Sequence, residues 1–374
     1  METRDGYLII HHVVYLNCAK QILSGILVMP LTMSGNTVIK PSDHTASWCG
    51  ERPCYEDGTP IASLVNSESR KDFGNGITGS YYLSCHLDGR EYSDYYEKVH
   101  TYVSLISTPA RQLDPVECRR IEIPSVIRSM DSGPFLYMDT NSSRANLVGI
   151  NTRLKGQVIG IVGMGGTGSY LLDFIAKTPV KEIHIYDGDE FNSHNAFRAP
   201  GAASEEDLSA RPMKVDYFSC YYSRMRNGII PHPEYLTASN TSALESCDFV
   251  FMCVDSKESR TLIADYLVAK GIPFIDSGIG LNIVNDRLIG QTRVTSGFKG
   301  NYSHIKDAFS CDADSEDVYS TNIQVSEINA LAAIFAVMKW KKQMEYYADT
   351  SLELNSLYSI DTNTITHSNY GSND

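Results

Sequence analysis

The stretch of sequence that decides the fold is Val158-Ile159-Gly160-Ile161-Val162-Gly163-Met164-Gly165-Gly166-Thr167-Gly168-Ser169. Its first five residues form a short uninterrupted apolar run, which is typical of a strand buried in a parallel sheet. The glycines that follow let the backbone approach a phosphate, and a helix opening after them supplies free N–H donors. The stretch therefore predicts a strand, a phosphate-binding loop and a helix. A tight strand–helix turn without a ligand is the plainer interpretation of the same glycines.

Strand-like and helix-like segments alternate on the C-terminal side of this loop. The apolar runs lie at residues 182–186, 248–254 and 272–275, and the helix-length segments between them include 169–176 and 259–270. This alternation predicts a doubly wound, mostly parallel α/β sheet. Further on, apolar residues at positions 328, 331, 335 and 338 have helical spacing. They predict a helix over 327–347 that packs this stripe on the core.

The N-terminal part of the chain has a different composition. Residues 1–135 are rich in Tyr, Gly and Pro, with short apolar runs and frequent turn signals. This pattern predicts a separate strand-rich α+β domain with one helix near residues 92–107. A polar stretch over 131–143 is interpreted as a linker. We therefore expect an N-terminal domain over 1–138 and a second domain over 139–374.

Composition limits the classes of protein to consider. The chain has 374 residues, enough for two domains of about 150 residues each. With 32 Lys and Arg against 45 Asp and Glu its net charge is −13, so general nucleic-acid binding is not expected. No apolar run reaches the roughly 20 residues that span a bilayer, and nine scattered cysteines fit a reducing compartment. We expect a cytoplasmic protein without a membrane partner.

Charged residues follow the apolar runs of the second domain. Asp187 comes directly after the second run, nineteen positions after Gly168, where an acidic residue grips ribose hydroxyls. Arg198 and Lys214 lie further on, and Asp255 comes directly after the third run. A hydride-transfer enzyme needs no such set. An enzyme that activates a carboxylate with ATP needs cations for the phosphates and a carboxylate for Mg²⁺, so the set favours ATP over a dinucleotide.

In these features the sequence resembles the ThiF, MoeB and ubiquitin-activating (E1-like) adenylyltransferase superfamily, over residues 141–374. The shared features are G-x-G-G-x-G-S at 163–169, D-x-D-x₅-N-x-x-R at 187–198, Lys214 and Val254-Asp255. The resemblance implies a Rossmann-like adenylation domain. It also implies a set of nucleotide-binding residues, namely Gly163, Gly165, Gly166, Gly168, Ser169, Asp187, Asp189, Asn195, Arg198 and Lys214. Asp189 matches the motif but receives no specific role.

The resemblance also implies a reaction. The family adenylates the C-terminal carboxylate of a ubiquitin-like protein and releases pyrophosphate. Asp187 would hold the ribose of ATP, and Asp255 would bind Mg²⁺. Asn195, Arg198 and Lys214 would contact the phosphates. No general base is needed, because the substrate carboxylate is already the nucleophile.

Further partners and residues follow from the family. Its members commonly form homodimers in which an upstream arginine reaches the partner's ATP, and Arg144, then Arg153, are the candidates here. Many members also form a thioester, for which Cys311 is the only cysteine in the loop over 297–321. Its acidic neighbours disfavour a thiolate. An extra N-terminal domain, as in bacterial E1-like proteins of ubiquitin-like gene clusters, would recruit the protein substrate or a partner. A downstream conjugating protein is a further candidate partner of the chain.

Other functions stay open at this point. A non-catalytic E1-like scaffold would keep the glycine loop and bind nucleotide or partner only. A nicotinamide-dependent dehydrogenase would keep the loop and Asp187, although the set of Arg198, Lys214 and Asp255 speaks against it. Within the superfamily, a small molecule, a peptide or a tRNA base could also be adenylated. The paired C-x-x-C motifs that hold zinc in many members are not present in the sequence.

Overall fold

The computed structural model describes residues 1–86, 90–121, 128–129, 133–298, 300–305, 309 and 323–368. The chain divides into two compact units, Met1–Thr152 and Arg153–Asp374. Within the described ranges, no helix combines the length and the apolar character needed to cross a bilayer.

The N-terminal unit is built on an antiparallel sheet. Its strands are β1 (Glu2–Arg4), β2 (Tyr7–Leu16), β3 (Ile22–Pro30), β4 (Met33–Ser34), β5 (Thr37–Val38), β6 (Thr45–Cys49), β7 (Val65–Asp72), β8 (Thr78–Ser84) and β9 (Arg128–Ser129). Seven of them form one sheet in the order β7-β8-β6-β3-β2-β1-β9, while β4 and β5 pair separately. Only the short β1–β9 pair in this sheet is parallel among the described strands. The predicted strand-rich α+β domain is confirmed.

Four helices accompany this sheet in the described residues. They are α1 (Tyr95–Leu113), α2 (Pro115–Ile121), α3 (Thr140–Arg144) and α4 (Val148–Asn151). Helix α1 begins where the Asp94 side chain accepts a hydrogen bond from the N–H of Glu97, and it packs Tyr102 and Ile106 into the sheet core. The linker expected over 131–143 is wrong for its last part. Asp139 caps α3 by accepting from the N–H of Ser142, so this polar run is helical.

The C-terminal unit alternates strands with helices. Its strands are β10 (Val158–Val162), β11 (Glu182–Tyr186), β12 (Ile229–His232), β13 (Phe249–Met252), β14 (Phe274–Val284), β15 (Arg287–Gly297), β16 (Asn355–Ser359) and β17 (Thr364–Ser368). Its helices are α5 (Gly166–Ala176), α6 (Ser193–Ala196), α7 (Glu205–Ser209), α8 (Lys214–Tyr222), α9 (Lys257–Lys270) and α10 (Ser326–Gln343), with a 3₁₀ turn at Thr241–Ser246.

These strands form one eight-stranded sheet in the order β12-β11-β10-β13-β14-β15-β16-β17. The first five are parallel and the last three are antiparallel. The chain runs outward from β10 to β12 and then returns to β13 on the other side of β10. The carboxyl ends of β10 and β13 therefore flank the point where the strand order reverses, which is where doubly wound sheets bind ligands. The predicted mostly parallel α/β fold is confirmed.

Helix α10 lies on this sheet with a different face from the one predicted. The helix itself is confirmed, but the stripe over positions 328, 331, 335 and 338 is wrong, because Met338 is 43 % exposed. The buried face instead carries Asn329, Ala332, Ala333, Ala336, Val337 and Trp340. Small alanines let the helix backbone approach α5 closely, so its buried face holds few large apolar side chains.

Candidate active site

A cavity of about 1520 Å³ opens in the C-terminal unit at the carboxyl ends of the parallel strands. Its walls come from the glycine loop after β10, the segments after β11 and β13, and the outer part of β14. The cavity lies at the reversal of strand order described above, the usual ligand position in this architecture.

The glycine loop has a geometry that only glycine permits at two positions. Gly163 has φ +89°, and a Cβ there would lie 2.6 Å from the carbonyl oxygen of Cys253. At Gly168 a Cβ would lie 1.8 Å from the carbonyl oxygen of Gly163, so the loop packs backbone against backbone. Gly165 differs from both, because a Cβ there would meet no atom within 4 Å and the residue lines the cavity. The loop therefore leaves open space at Gly165, directly before α5.

The hydroxyl of Ser169 supports the glycine loop and does not line the cavity. Ser169 is fully buried, and its Oγ donates to the carbonyl oxygen of Gly166 at 2.8 Å. It is not among the cavity-lining residues, whereas Gly163, Gly165 and Gly166 are. The structure thus places this predicted nucleotide-binding side chain in the supporting turn of α5.

Two aspartates and a lysine form a compact charged group beside the loop. Asp187 accepts hydrogen bonds from the backbone N–H of Met164 at 2.7 Å and of Asp189 at 2.9 Å. The Lys214 Nζ lies 2.5 Å from Asp189 Oδ2 and 3.4 Å from Asp187 Oδ1. Burial raises the pKa of Asp189, but hydrogen bonds from Lys214 and Tyr235 outweigh it, and the pKa falls below its ordinary value. Asp189 is therefore ionised at neutral pH.

Asn195 and Arg198 bring donors without partners to the same cavity. The Asn195 side-chain oxygen accepts from the N–H of Asn192 in a capping box that opens α6. Its Nδ2 is buried and has no hydrogen-bond partner in the described part of the chain, and neither has Nε of Arg198. Both residues line the cavity. Unpaired buried donors are costly unless a ligand accepts from them, so this wall suits an anion.

Asp255 enters the cavity from the segment between β13 and α9. It is an exposed, cavity-lining carboxylate on the far side of β10 from Asp187. Mg²⁺ is usually held in proteins by one or two carboxylates together with substrate phosphates. Asp255 therefore fits a magnesium ligand only in the company of phosphate oxygens. In the described ranges no group of three or more His, Cys, Asp or Glu could hold a metal by itself.

Other predicted residues lie elsewhere. Arg144 is exposed at the end of α3 in the N-terminal unit, Arg153 is exposed at the start of the C-terminal unit, and neither lines the cavity. Cys311 lies outside the described residues. The structure thus gathers the glycine loop, Asp187, Asp189, Asn195, Arg198, Lys214 and Asp255 around one cavity.

Two residues that contact the predicted site residues or the glycine loop were not predicted from the sequence. Tyr235 follows β12, and its hydroxyl donates to Asp189, which raises the pKa of Tyr235 to about 12. A Cβ on Gly188 would lie 2.6 Å from the Tyr235 ring, so the ring covers that glycine. Asn329 comes from α10 and hydrogen bonds to Thr167 in the first turn of α5. Neither residue stands in a motif, and only the tertiary fold brings them to the cavity.

Family models match both parts of the chain. Residues 1–140 match a family described as a domain of unknown function, DUF6791. Residues 145–369 match the ThiF family, and this match covers more than half of the chain.

Individual relatives are distant. Ubiquitin-like modifier-activating enzyme 5 of Drosophila grimshawi is 23 % identical over 170 residues, which is 42 % of each chain. Adenylyltransferase and sulfurtransferase UBA4 of Saccharomyces cerevisiae is 27 % identical over 146 residues, 37 % of this chain and 32 % of that protein. The chain thus spans less than half the length of these curated relatives.

Among solved structures, E. coli MccB with ATP is 18 % identical with a TM-score of 0.47, over 82 % of this chain and 96 % of that one. The family match differs from these weak likenesses, because it covers every described strand and helix of the C-terminal unit, from β10 to β17. On that match, the chain belongs to the ThiF family of E1-like adenylyltransferases.

Proposed function

We propose that the C-terminal unit adenylates the C-terminal carboxylate of a ubiquitin-like protein with ATP and Mg²⁺. The observation that carries this proposal is the concentration of unpaired donors at one wall of the cavity. Asn195 and Arg198 hold buried nitrogens without described partners, in the same cavity that Gly165 lines. A phosphate chain supplies the acceptors and negative charge that such a wall lacks.

The cavity residues that the sequence predicted have the following physical roles in this reaction. The first N–H groups of α5 receive a phosphate beside Gly165, and Arg198 and Lys214 offset the charge that develops on the leaving pyrophosphate. Asp187 accepts from the ribose hydroxyls. Asp255 would hold Mg²⁺, which when bound neutralises further phosphate charge.

The chemical step needs orientation more than proton transfer. A carboxylate oxygen of the acceptor attacks the α-phosphorus, the bond from that phosphorus to the bridging oxygen breaks, and pyrophosphate leaves with the electron pair. No proton has to be removed, because the carboxylate is ionised at neutral pH. The protein therefore contributes alignment and electrostatic stabilisation.

A polypeptide tail is the substrate that the outer cavity supports. Along β14, Gly278 and Gly280 line the cavity, and a Cβ at Gly280 would meet no atom within 4 Å. Glycines at such positions let another backbone approach a strand closely. The name of the relative ubiquitin-like modifier-activating enzyme 5 is a further reason to choose a ubiquitin-like acceptor.

The remaining parts of the proposal concern partners. We place Arg144 at the ATP of a second subunit in a homodimer, Cys311 as the thioester-forming residue, and the N-terminal unit as the recruiter of the acceptor or of a conjugating protein. Mixing inactive Arg144→Ala and Lys214→Ala chains tests the first part, since a mixed dimer would regain one intact site. Activity that stays absent in the mixture, although mixed dimers form, would remove Arg144 from the reaction.

Pyrophosphate release tests the central claim. The full chain is mixed with Mg²⁺·ATP and a ubiquitin-like protein that ends in Gly-Gly. Arg198→Ala is expected to slow release by about 100-fold, as loss of one transition-state donor does. The matched control is Arg224→Ala, because Arg224 is exposed, lies over Tyr221 and does not line the cavity.

Other outcomes would point to other functions. Equal rates in the two arginine variants would count against the proposal. Nucleotide binding without pyrophosphate release would favour a scaffold, and binding of NAD⁺ instead of ATP would favour a dehydrogenase.

A further inference from the structure

Asn329 presents a buried amide donor to the cavity. Its side chain is 1 % exposed, although the residue lines the cavity. The side-chain oxygen accepts a hydrogen bond from the Thr167 hydroxyl at 3.0 Å. The other end of the amide, Nδ2, has no hydrogen-bond partner among the residues that the structure describes. One end of this amide is thus held by the protein and the other end is left for a ligand.

The amide lies against the first turn of α5. A Cβ on Gly166 would come within 2.2 Å of Asn329 Nδ2, so only a glycine leaves room for the amide there. No side chain caps the start of this helix at Gly165. Helix α5 is eleven residues long, so its uncapped N–H groups and its dipole favour an anion at this end. The Nδ2 donor of Asn329 and the free donors of α5 meet at one place.

We propose that Asn329 is a phosphate-binding residue, which donates from Nδ2 to the nucleotide phosphate seated at the start of α5. The proposal rests on the proposed nucleotide function and extends it to a residue 162 positions from Thr167 in the chain. The Thr167 hydroxyl is a positioning group, because it fixes the amide with the donor end toward the ligand. Gly166 completes the arrangement by leaving space for the amide.

A purely structural role makes the opposite prediction for two substitutions. If Asn329 only ties α10 to α5, the hydrogen bond to Thr167 is what matters. Thr167→Val would then lower the stability and the ATP affinity of the protein. Asn329→Asp would change both only slightly, because an aspartate oxygen still accepts from Thr167. If Asn329 binds phosphate, Asn329→Asp is the harmful change, since it replaces a donor with an anionic oxygen beside an anion.

Calorimetric titration of the full chain with Mg²⁺·ATP and with adenosine separates these roles. Asn329→Asp is expected to weaken ATP binding by about tenfold or more and to leave adenosine binding unchanged, because adenosine has no phosphate. Thr167→Val removes the group that orients the amide but leaves the Nδ2 donor in place, so it is expected to weaken ATP binding less than Asn329→Asp does. Unchanged ATP affinity in Asn329→Asp, or an equal loss for adenosine, would overturn the proposal.

Two controls keep the result interpretable. Thermal melts of each variant without ligand report folding. Asn329→Leu, which has the same number of side-chain heavy atoms, the same branched shape and no donor, replaces Asn329→Asp if the buried carboxylate prevents folding. The leucine variant is likewise expected to lose ATP affinity and to keep adenosine affinity, and retained ATP affinity would overturn the proposal. Failure of the unmodified chain to bind ATP would refute the proposed function itself, which is a different result.

Discussion

The ammonium group of Lys214 lies 2.5 Å from the carboxylate of Asp189 and also pairs with Asp187. A lysine proposed to contact phosphates is therefore already paired with two aspartates of the protein. A phosphate chain that enters the cavity competes with these carboxylates for the same ammonium group. The pair keeps Lys214 buried and in place, since an unpaired buried ammonium would be strongly disfavoured.

Lys214→Ala is expected to abolish stabilisation by ATP. A ligand at 100 times its dissociation constant adds about 2.7 kcal/mol to the stability of the protein that binds it. For a domain of the size of the C-terminal unit, Arg153–Asp374, that free energy corresponds to a rise in melting temperature of roughly 5–10 °C. Thermal melts with Mg²⁺·ATP and with Mg²⁺·NAD⁺ measure this rise.

The matched control for that lysine is Lys181→Ala, because Lys181 is exposed and pairs with Glu182 outside the cavity. Lys181→Ala should keep the full rise in melting temperature with Mg²⁺·ATP. The same shift in Lys214→Ala and Lys181→Ala would remove Lys214 from the binding site, and a shift with NAD⁺ alone would overturn the choice of nucleotide.

Two alanine substitutions in the glycine loop should separate binding from folding. Gly165→Ala places its methyl group in open space at a permitted backbone conformation, so the melting temperature should stay nearly unchanged. Nucleotide affinity should fall by about tenfold or more, because the methyl group occupies the approach of the phosphate. Calorimetric titration with ATP checks this, and an unchanged affinity would mean that the phosphate lies elsewhere.

Gly168→Ala should act on folding instead. Its Cβ would lie 1.8 Å from the carbonyl oxygen of Gly163, so the loop backbone has to move. Forcing extra atoms into a packed site usually costs about 1–3 kcal/mol, and a backbone clash costs at least as much. Chemical unfolding of the ligand-free protein measures the loss. A Gly168→Ala protein as stable as the original would contradict the packing described for this loop.

A pair of histidines should make the C-terminal unit sensitive to mild acid. His184 Nδ1 and His232 Nε2 lie 3.0 Å apart, and the His232 ring stacks on Tyr186. Burial lowers the pKa of both histidines below the ordinary 6.5, while Glu182 and Glu234 oppose the shift. The unfolded chain therefore takes up protons first as the pH falls, and stability decreases below about pH 6.5.

Melting temperatures at pH 7 and pH 5 check this effect. His232→Phe keeps a ring against Tyr186 and removes the titrating partner, so its melting temperature should drop less between these two pH values. His367→Phe, on an exposed position of β17, should behave like the unmodified protein. An equal drop in all three proteins would assign the acid sensitivity to other groups.

Most of the parallel half of the sheet was predictable, because strands such as β10 and β13 are buried on both faces. The partly buried β12 was not predicted. Residues 158–162 form an unbroken apolar run, and residues 182–186 are apolar at three of five positions. The bounds of these two segments agree with β10 and β11. Strands β16 and β17 are rich in polar residues and partly or fully exposed, so neither contains an apolar run that would predict a strand. Strand β15 mixes polar and apolar residues and was missed for the same reason.

The candidate site shows a similar division. Asp187 and Asp255 closely follow predicted strands, and parallel strands deliver such residues to one edge of the sheet. Arg198 and Lys214 were predicted from the features that the sequence shares with the E1-like family. Asn329 has neither signal. It lies on the buried face of a helix in which three of the seven buried residues are alanines, so the periodic signal of large apolar side chains is weak. A polar residue on that face becomes recognisable only when its neighbours across the fold are known.

The hydrogen bond between Thr167 and Asn329 joins two segments that are synthesised far apart in time. During translation, the glycine loop leaves the ribosome long before α10, so the cavity lacks one wall until α10 docks. Contacts of such long sequence separation form late and slowly in folding. If the proposed function holds, nucleotide binds only to the completed C-terminal unit, and bound nucleotide would in turn slow the opening of α10. Nucleotide affinity would thus report that this unit has finished folding.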